Sequence, residues 1–125
     1  MKSSRFFLAL PILLIFALPL SLFAADQPST SSGKTKVLVV TGGHDFEREA
    51  FMKLFKDNES IIFKAVEHPY AHPLLKPEAA NQFDVLVLYD MWQDITDDAK
   101  ADFLAYLKSG KGLVVMHHAI ASYQT

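Results

Sequence analysis

The sequence predicts an α/β fold in which a parallel sheet lies between layers of helix. Three observations predict it. Four short aliphatic or β-branched runs recur along the chain, at 36–41, 61–66, 84–89 and 112–116. Most show no polar alternation, which suits strands buried on both faces of a parallel sheet. Helical patterns separate the first run from the second and the third from the fourth, and the order β-α-β-loop-β-α-β is that of a parallel sheet covered by helices.

Taken in order, residues 1–25 read as an export signal. Lys2 and Arg5 form a short positive region, 6–22 is an apolar run, and Ala24 or Ala25 precedes the expected cut. An uncleaved membrane anchor is the competing reading. Pro11 and Pro19 oppose it, because proline disfavours a straight spanning helix. Either way the folded part is expected outside the cytoplasm, periplasmic or extracellular, with the leader as its one membrane-directed segment. Residues 26–35 (DQPSTSSGKT) have the Ser, Gly and Pro content of a disordered tether.

The first strand (KVLVVT) stops at Gly42-Gly43-His44-Asp45. Ala50, Phe51, Leu54 and Phe55 then recur at helical spacing, with Glu47, Arg48, Lys53 and Lys56 on the other face and Asp45 as N-cap. Residues 57–60 end that helix. The second strand (IIFKAV) is less uniformly apolar and so nearer an edge. A long connection over 67–81 carries Pro69, Pro73 and Pro77, with one helical turn expected at 76–81. The third strand (DVLVLY) ends at Asp90. Thr96 is the N-cap of the next helix, with Asp97 and Asp98 in its first turn, where the helix dipole favours acids. Ala99, Phe103, Leu104 and Leu107 mark its buried stripe and Gly110 its C′ position. The fourth strand is flanked by Gly110 and Gly112 on one side and His117-His118 on the other.

Right-handed crossovers and a flavodoxin-like order place the strands β2-β1-β3-β4 in a three-layer sandwich. The very apolar fourth strand then lies at an edge, a position that native proteins protect. The chain stops just after Tyr123, where a helix is due. The expectation is therefore a fold incomplete at its C-terminus, with 36–125 the N-terminal part of a longer domain.

Composition narrows the function classes. The 125 residues suit one domain, and the formal net charge is −2. Removing the leader takes Lys2 and Arg5 from the twelve basic residues, leaving ten against fourteen acidic ones. No basic stripe exists, which argues against a nucleic-acid partner. Cysteine is absent, which excludes disulfides, thiolate catalysis, cysteine metal sites and a lipoprotein anchor.

Chemistry is expected at the carboxyl ends of the strands, where ligands bind in open α/β sheets. Gly42, Gly43, His44 and Asp45 follow the first strand, Asp90 the third, and His117 and His118 the fourth, and these three strands are neighbours. Gly42-Gly43 reads first as a tight turn; amides offered to an anion are the second reading. His44, His117 and His118 admit two chemistries. One is a divalent metal site. The other is a histidine acting as general base or sugar-hydroxyl partner. Adjacent strand residues point to opposite faces, so His117 and His118 both face the crevice only if the chain turns between them. His68 and His72 read as loop residues, because Pro69 and Pro73 remove the helical meaning of their spacing; the lesser alternative is that His68, just past the second strand, reaches the crevice. Trp92 has two readings, a platform for a sugar ring or packing over the sheet end. Ser122 has no G-x-S-x-G setting, so a serine hydrolase is poorly supported.

The segments 36–47 (KVLVVTGGHDFE), 84–90 (DVLVLYD) and 110–123 (GKGLVVMHHAIASY) closely resemble ThuA-like proteins, the trehalose-utilisation family, within the class I glutamine amidotransferase-like superfamily. The likeness covers nearly all of the chain after the tether, and GKG-aliphatic-HHA is its most specific part. It implies a flavodoxin-like fold, a role in sugar catabolism and often a secreted or periplasmic location. Amidotransferases carry a nucleophilic cysteine after the corresponding strand; this chain has none, so amide transfer is not implied. The resemblance carries over His44, His117 and His118 as site residues, with Asp90 beside them, and suggests chemistry on trehalose or 3-keto-glycosides by a hydrolase or lyase. Gly43, Asp45, Asp90 and Trp92 are then substrate-binding candidates. The alternative is a non-catalytic domain that binds a small sugar through Trp92 and Asp90.

Overall fold

The computed structural model describes residues 33–123. The predicted export signal at 1–25 and most of the predicted tether at 26–35 lie outside them. Thr35, placed in the tether by composition, instead opens the first strand. The elements are β1 (Thr35–Gly42), α1 (Arg48–Lys56), β2 (Ile61–Glu67), α2 (His72–Leu75), α3 (Pro77–Ala80), β3 (Val85–Asp90), α4 (Asp97–Lys108) and β4 (Gly112–Val115), followed by a 3-10 turn (His117–Ala121). The sheet is wholly parallel in the order β2-β1-β3-β4, the flavodoxin-like order that the sequence predicts.

Strand periodicity assigns the two faces. Leu38, Val40, Leu86 and Leu88 pack with Ala71 and Leu75, with Ala80 of α3 and with Tyr106 of α4. Val37, Val39 and Val87 pack on the other face with Phe51 and Phe55 of α1. Leu38, Val39, Val40 and Leu86 are fully buried. Each such aliphatic side chain contributes about 1.5–3 kcal/mol relative to an exposed one.

Three local expectations change. Asp45 is not the N-cap of α1: Glu47 holds that position without a side-chain cap bond, because the helix starts at Arg48, too far on for Asp45 to reach. The 67–81 connection forms two single-turn helices where one was expected at 76–81. Pro73 and Pro77 sit in their first turns, where a missing N–H costs nothing. In α4, Thr96 caps as predicted, its Oγ1 accepting from Ala99 N at 3.2 Å. The buried positions are Ala99 and Tyr106, however, and Leu104 turns outward, 45% exposed.

Composition predicts β4 buried on both faces, and topology predicts it at an edge. The structure follows the topology: Leu113, Val114 and Val115 are all partly exposed, and β3 is the neighbour of β4 in the sheet.

Candidate functional site at the strand carboxyl ends

Strand parity divides the polar residues at this end of the sheet into two groups. Tyr89 shares the face of Val87 and α1, and Asp90 shares that of Leu88 and α4. The histidines gather on the Tyr89 side. The His44 ring meets Tyr89 edge-on, with centroids 4.9 Å apart, and meets His118 edge-on at 5.8 Å. Beneath them, Phe46 stands edge-on to Phe51 and Tyr89, and Tyr89 stacks on Phe51 at 4.2 Å.

His117 and His118 do face the same region, because the chain turns there. The 3-10 turn begins at His117, whose φ is +51°, and the two rings lie 3.7 Å apart between centroids. Local desolvation, then the neighbouring His117 and His44 rings, lower the His118 pKa below the ordinary imidazole value. A neutral ring is favoured there.

His44 is half-buried, and its Nδ1 lies 3.1 Å from the Asp45 carbonyl oxygen. A carbonyl only accepts, so Nδ1 carries the proton and Nε2 keeps its lone pair. That Nε2 is closed off from solvent and has no hydrogen-bond partner. An unsatisfied buried nitrogen is unfavourable unless a ligand or a movement of its cover satisfies it.

The three histidines do not fit a metal centre as they stand. Among the described residues no group of three or more His, Cys, Asp or Glu side chains is placed to hold a metal ion. The lone pair of His44 is closed off, and its ring stands apart from that of His118.

Asp90 is not placed as a substrate-binding group. It is fully buried, accepting from Ser122 Oγ at 3.1 Å and from the Tyr123 hydroxyl at 3.2 Å. Burial raises its pKa, and those two hydrogen bonds pull it back only in part. The carboxylate in turn helps burial raise the Tyr123 pKa. This face also holds His68 and His72, which sequence spacing leaves as loop residues. Their Nε2 atoms lie 2.8 Å apart. Burial, then the His72 ring, lowers the His68 pKa, with Asp90 and the Gln93 carboxamide opposing; burial lowers that of His72.

Gly42 explains why Asp90 and His68 lie near one another. It pairs with Asp90 on one side, and a Cβ built on it would reach His68 Cβ at 3.4 Å on the other. With no side chain on the strand between them, the flanking strands share that space. Gly43 has a stricter role. Its φ is +79°, and a Cβ there would stand 1.9 Å from the Met91 carbonyl oxygen. The turn after β1 therefore lies directly on the loop after β3.

That loop carries Trp92, which is 74% exposed and does not pack over the sheet end. With Gln93, Asp94, Ile120 and Ala121 it lines a groove of about 550 Å³. The histidines are not among those lining residues; Gly43, beside His44, connects the two regions through its contact with Met91 and Gln93. Asp45 is exposed at the turn.

Gln93, Tyr123 and Tyr89 also stand at this end of the sheet, where sequence reasoning names no role for them; Ser122 is weighed there only as a nucleophile and His68 chiefly as a loop residue. For two of them a signal existed. His68 is two residues beyond Val66 and Tyr89 two beyond Val87, so each shares the face of a core position. Comparison of the chain with protein-family models, curated proteins and solved structures returns no match.

Proposed function

We propose that this chain is an exported, ThuA-like protein of carbohydrate breakdown, acting on trehalose or a 3-keto-glycoside by hydrolase or lyase chemistry at the strand carboxyl ends. The observation that carries this reading is the His44 tautomer. The Asp45 carbonyl holds the proton on Nδ1, which leaves Nε2 its lone pair; that atom is closed off in the resting structure, so its cover moves aside before it acts as a base. In hydrolysis such a base takes a proton from a water as it attacks the glycosidic carbon; the glycosidic C–O bond breaks and the departing oxygen takes a proton from solvent. In a keto-sugar the base takes the proton next to the carbonyl while the glycosidic C–O bond breaks. Trp92 offers an apolar ring face for the sugar, and Gln93 and Asp94 offer polar partners in the same groove. Export rests on the leader at 1–25, and the family assignment on the GGH and GKG-aliphatic-HHA segments.

The test is turnover of trehalose and its 3-keto derivative by the purified protein and by His44→Gln and Trp92→Ala variants. Loss of the base is expected to lower kcat by about 10²–10⁴-fold. Loss of the platform is expected to raise KM with a smaller effect on kcat. A His44→Gln protein that is folded and as active as its parent overturns the assignment.

The exposure of Trp92 beside a groove also supports the second reading, a non-catalytic sugar-binding domain. Calorimetry separates the two. Heat of sugar binding that disappears in Trp92→Ala, with no product formed by the parent protein, selects the binding domain.

A further inference from the structure

The geometry points to a second site, independent of the sugar reading: a two-histidine site for a borderline divalent cation of the Zn²⁺ class, between His68 Nε2 and His72 Nε2. The corner between β2 and α2 brings the two rings together. Tyr70 N donates to Glu67 O at 2.9 Å and His72 N to Pro69 O at 3.0 Å, folding the chain back on itself. The rings meet edge-on, with centroids 4.5 Å apart and Nε2 atoms 2.8 Å apart. In the metal-free pair one Nε2–H donates to the lone pair of the other, because two neutral imidazoles share a single hydrogen bond there. Two imidazole nitrogens on one tetrahedral Zn²⁺, each at about 2.0–2.1 Å, stand about 3.3 Å apart. To admit the cation the nitrogens separate by about 0.5 Å and each ring rotates to turn its Nε2 lone pair off the line between them.

The proton balance is simple. The donating ring moves its proton from Nε2 to Nδ1, both Nε2 lone pairs then face the cation, and no net proton is released. Metal-bound histidines normally give the other ring N–H to a carboxylate, carbonyl or amide oxygen. His68 has such neighbours: the Gln93 carboxamide and the Asp90 carboxylate both favour a proton on its ring. Both rings are half-buried, so the remaining positions of the cation go to water. Among the described residues no third histidine, cysteine or carboxylate completes the set, so the site is open. The pair differs from the crevice histidines in one respect that matters for ligation. Its two Nε2 atoms already lie 2.8 Å from each other, whereas the His44 Nε2 is closed off.

The experiment is calorimetric titration of the full metal-free chain with Zn²⁺ alone, repeated on His68→Ala, His72→Ala and His118→Ala. The expected result is that His68→Ala and His72→Ala each lose one equivalent that the parent binds, while His118→Ala keeps it. An unchanged stoichiometry in both pair variants, or no Zn²⁺ binding by the parent, overturns the proposal. A readout on the parent protein guards against variants that fail to fold. Imidazole ¹⁵N–¹H spectra should show the Nε2 signals of His68 and His72 shifting together as Zn²⁺ is added. Shifts confined to His44, His117 and His118 overturn the proposal equally.

Discussion

Gly43→Ala isolates the contact that joins the two loops of the crevice, and Gly110→Ala supplies its control. The two glycines have nearly the same backbone, φ +79° and +80°. Either substitution places an L-residue in the left-handed region, at about 1–2 kcal/mol. Their surroundings differ completely. Nothing lies within 4 Å of a Cβ at Gly110, whereas a Cβ at Gly43 would meet Met91 O at 1.9 Å and Gln93 Nε2 at 2.4 Å. Ordinary contact begins near 3.4 Å, so the loops must part by about 1.5 Å. That movement breaks the bond from Met91 N to Gly42 O (2.9 Å) and displaces the one from Gln93 Nε2 to Met91 O (2.7 Å). At about 1 kcal/mol each, these add about 2 kcal/mol to the backbone cost. Gly43→Ala should therefore lose about 3–4 kcal/mol and Gly110→Ala about 1–2, a difference of about 2 kcal/mol. Total stabilities of domains lie near 5–15 kcal/mol, so both losses are measurable. Urea unfolding followed by circular dichroism gives the values, and the single tryptophan, Trp92, reports the loop itself. Equal losses at the two positions would show that the loops do not touch as described.

Two further outcomes follow from local chemistry. Thr96→Ala removes the acceptor for Ala99 N and should cost about 1 kcal/mol, lowering the urea midpoint with an unchanged m-value; no shift in midpoint refutes the cap. Asp90→Asn tests the buried carboxyl through its pH dependence. The fold holds a proton on Asp90 above the ordinary value of 3.8, so the native state binds more protons than the unfolded chain. Its contribution to stability then falls as pH rises from 3.8 through the raised value. The stability of the parent relative to Asp90→Asn should decline across that window, and a difference that stays flat from about pH 4 to pH 7 sinks the assignment.

The sheet was legible because its signals are local and repeated. Four aliphatic runs with helices between them leave few parallel arrangements, and right-handed crossovers select one. The cap at Thr96 was legible for the same reason. Asp45 misled because an N-cap residue type two or three positions early looks the same in sequence; only the first helical hydrogen bond decides. At the site, residue types put the polar residues at the strand ends but do not separate the two faces they take. Tyr89 and Asp90 are adjacent, so one of them had to leave the histidine side, and the alternation beginning at Val85 already says which. The His68–His72 pair was hidden because their four-residue spacing has meaning on a helix, and the prolines replace the helix with a corner. A corner also brings two side chains together, but no periodicity announces it.

The 3-10 turn is what connects the two polar groups. Its first residues, His117 and His118, lie on the α1 side, and Ser122 and Tyr123, just beyond its last, bind Asp90 on the α4 side. Tyr123 N also donates to Gln93 O at 2.7 Å, fastening the turn to the groove loop. The backbone is left-handed at both ends, φ +51° at His117 and +64° at Tyr123, and again at Trp92, φ +52°. Each such residue costs on the order of 1–3 kcal/mol and persists only where its surroundings hold it. The holding contacts at Tyr123 are the Asp90 carboxylate and the Gln93 carbonyl. Asp90 therefore anchors the turn from a fully buried position. It fixes the far end of the turn and so limits where His117 and His118 can stand. There the carboxyl, which burial alone disfavours, accepts from both Ser122 and Tyr123.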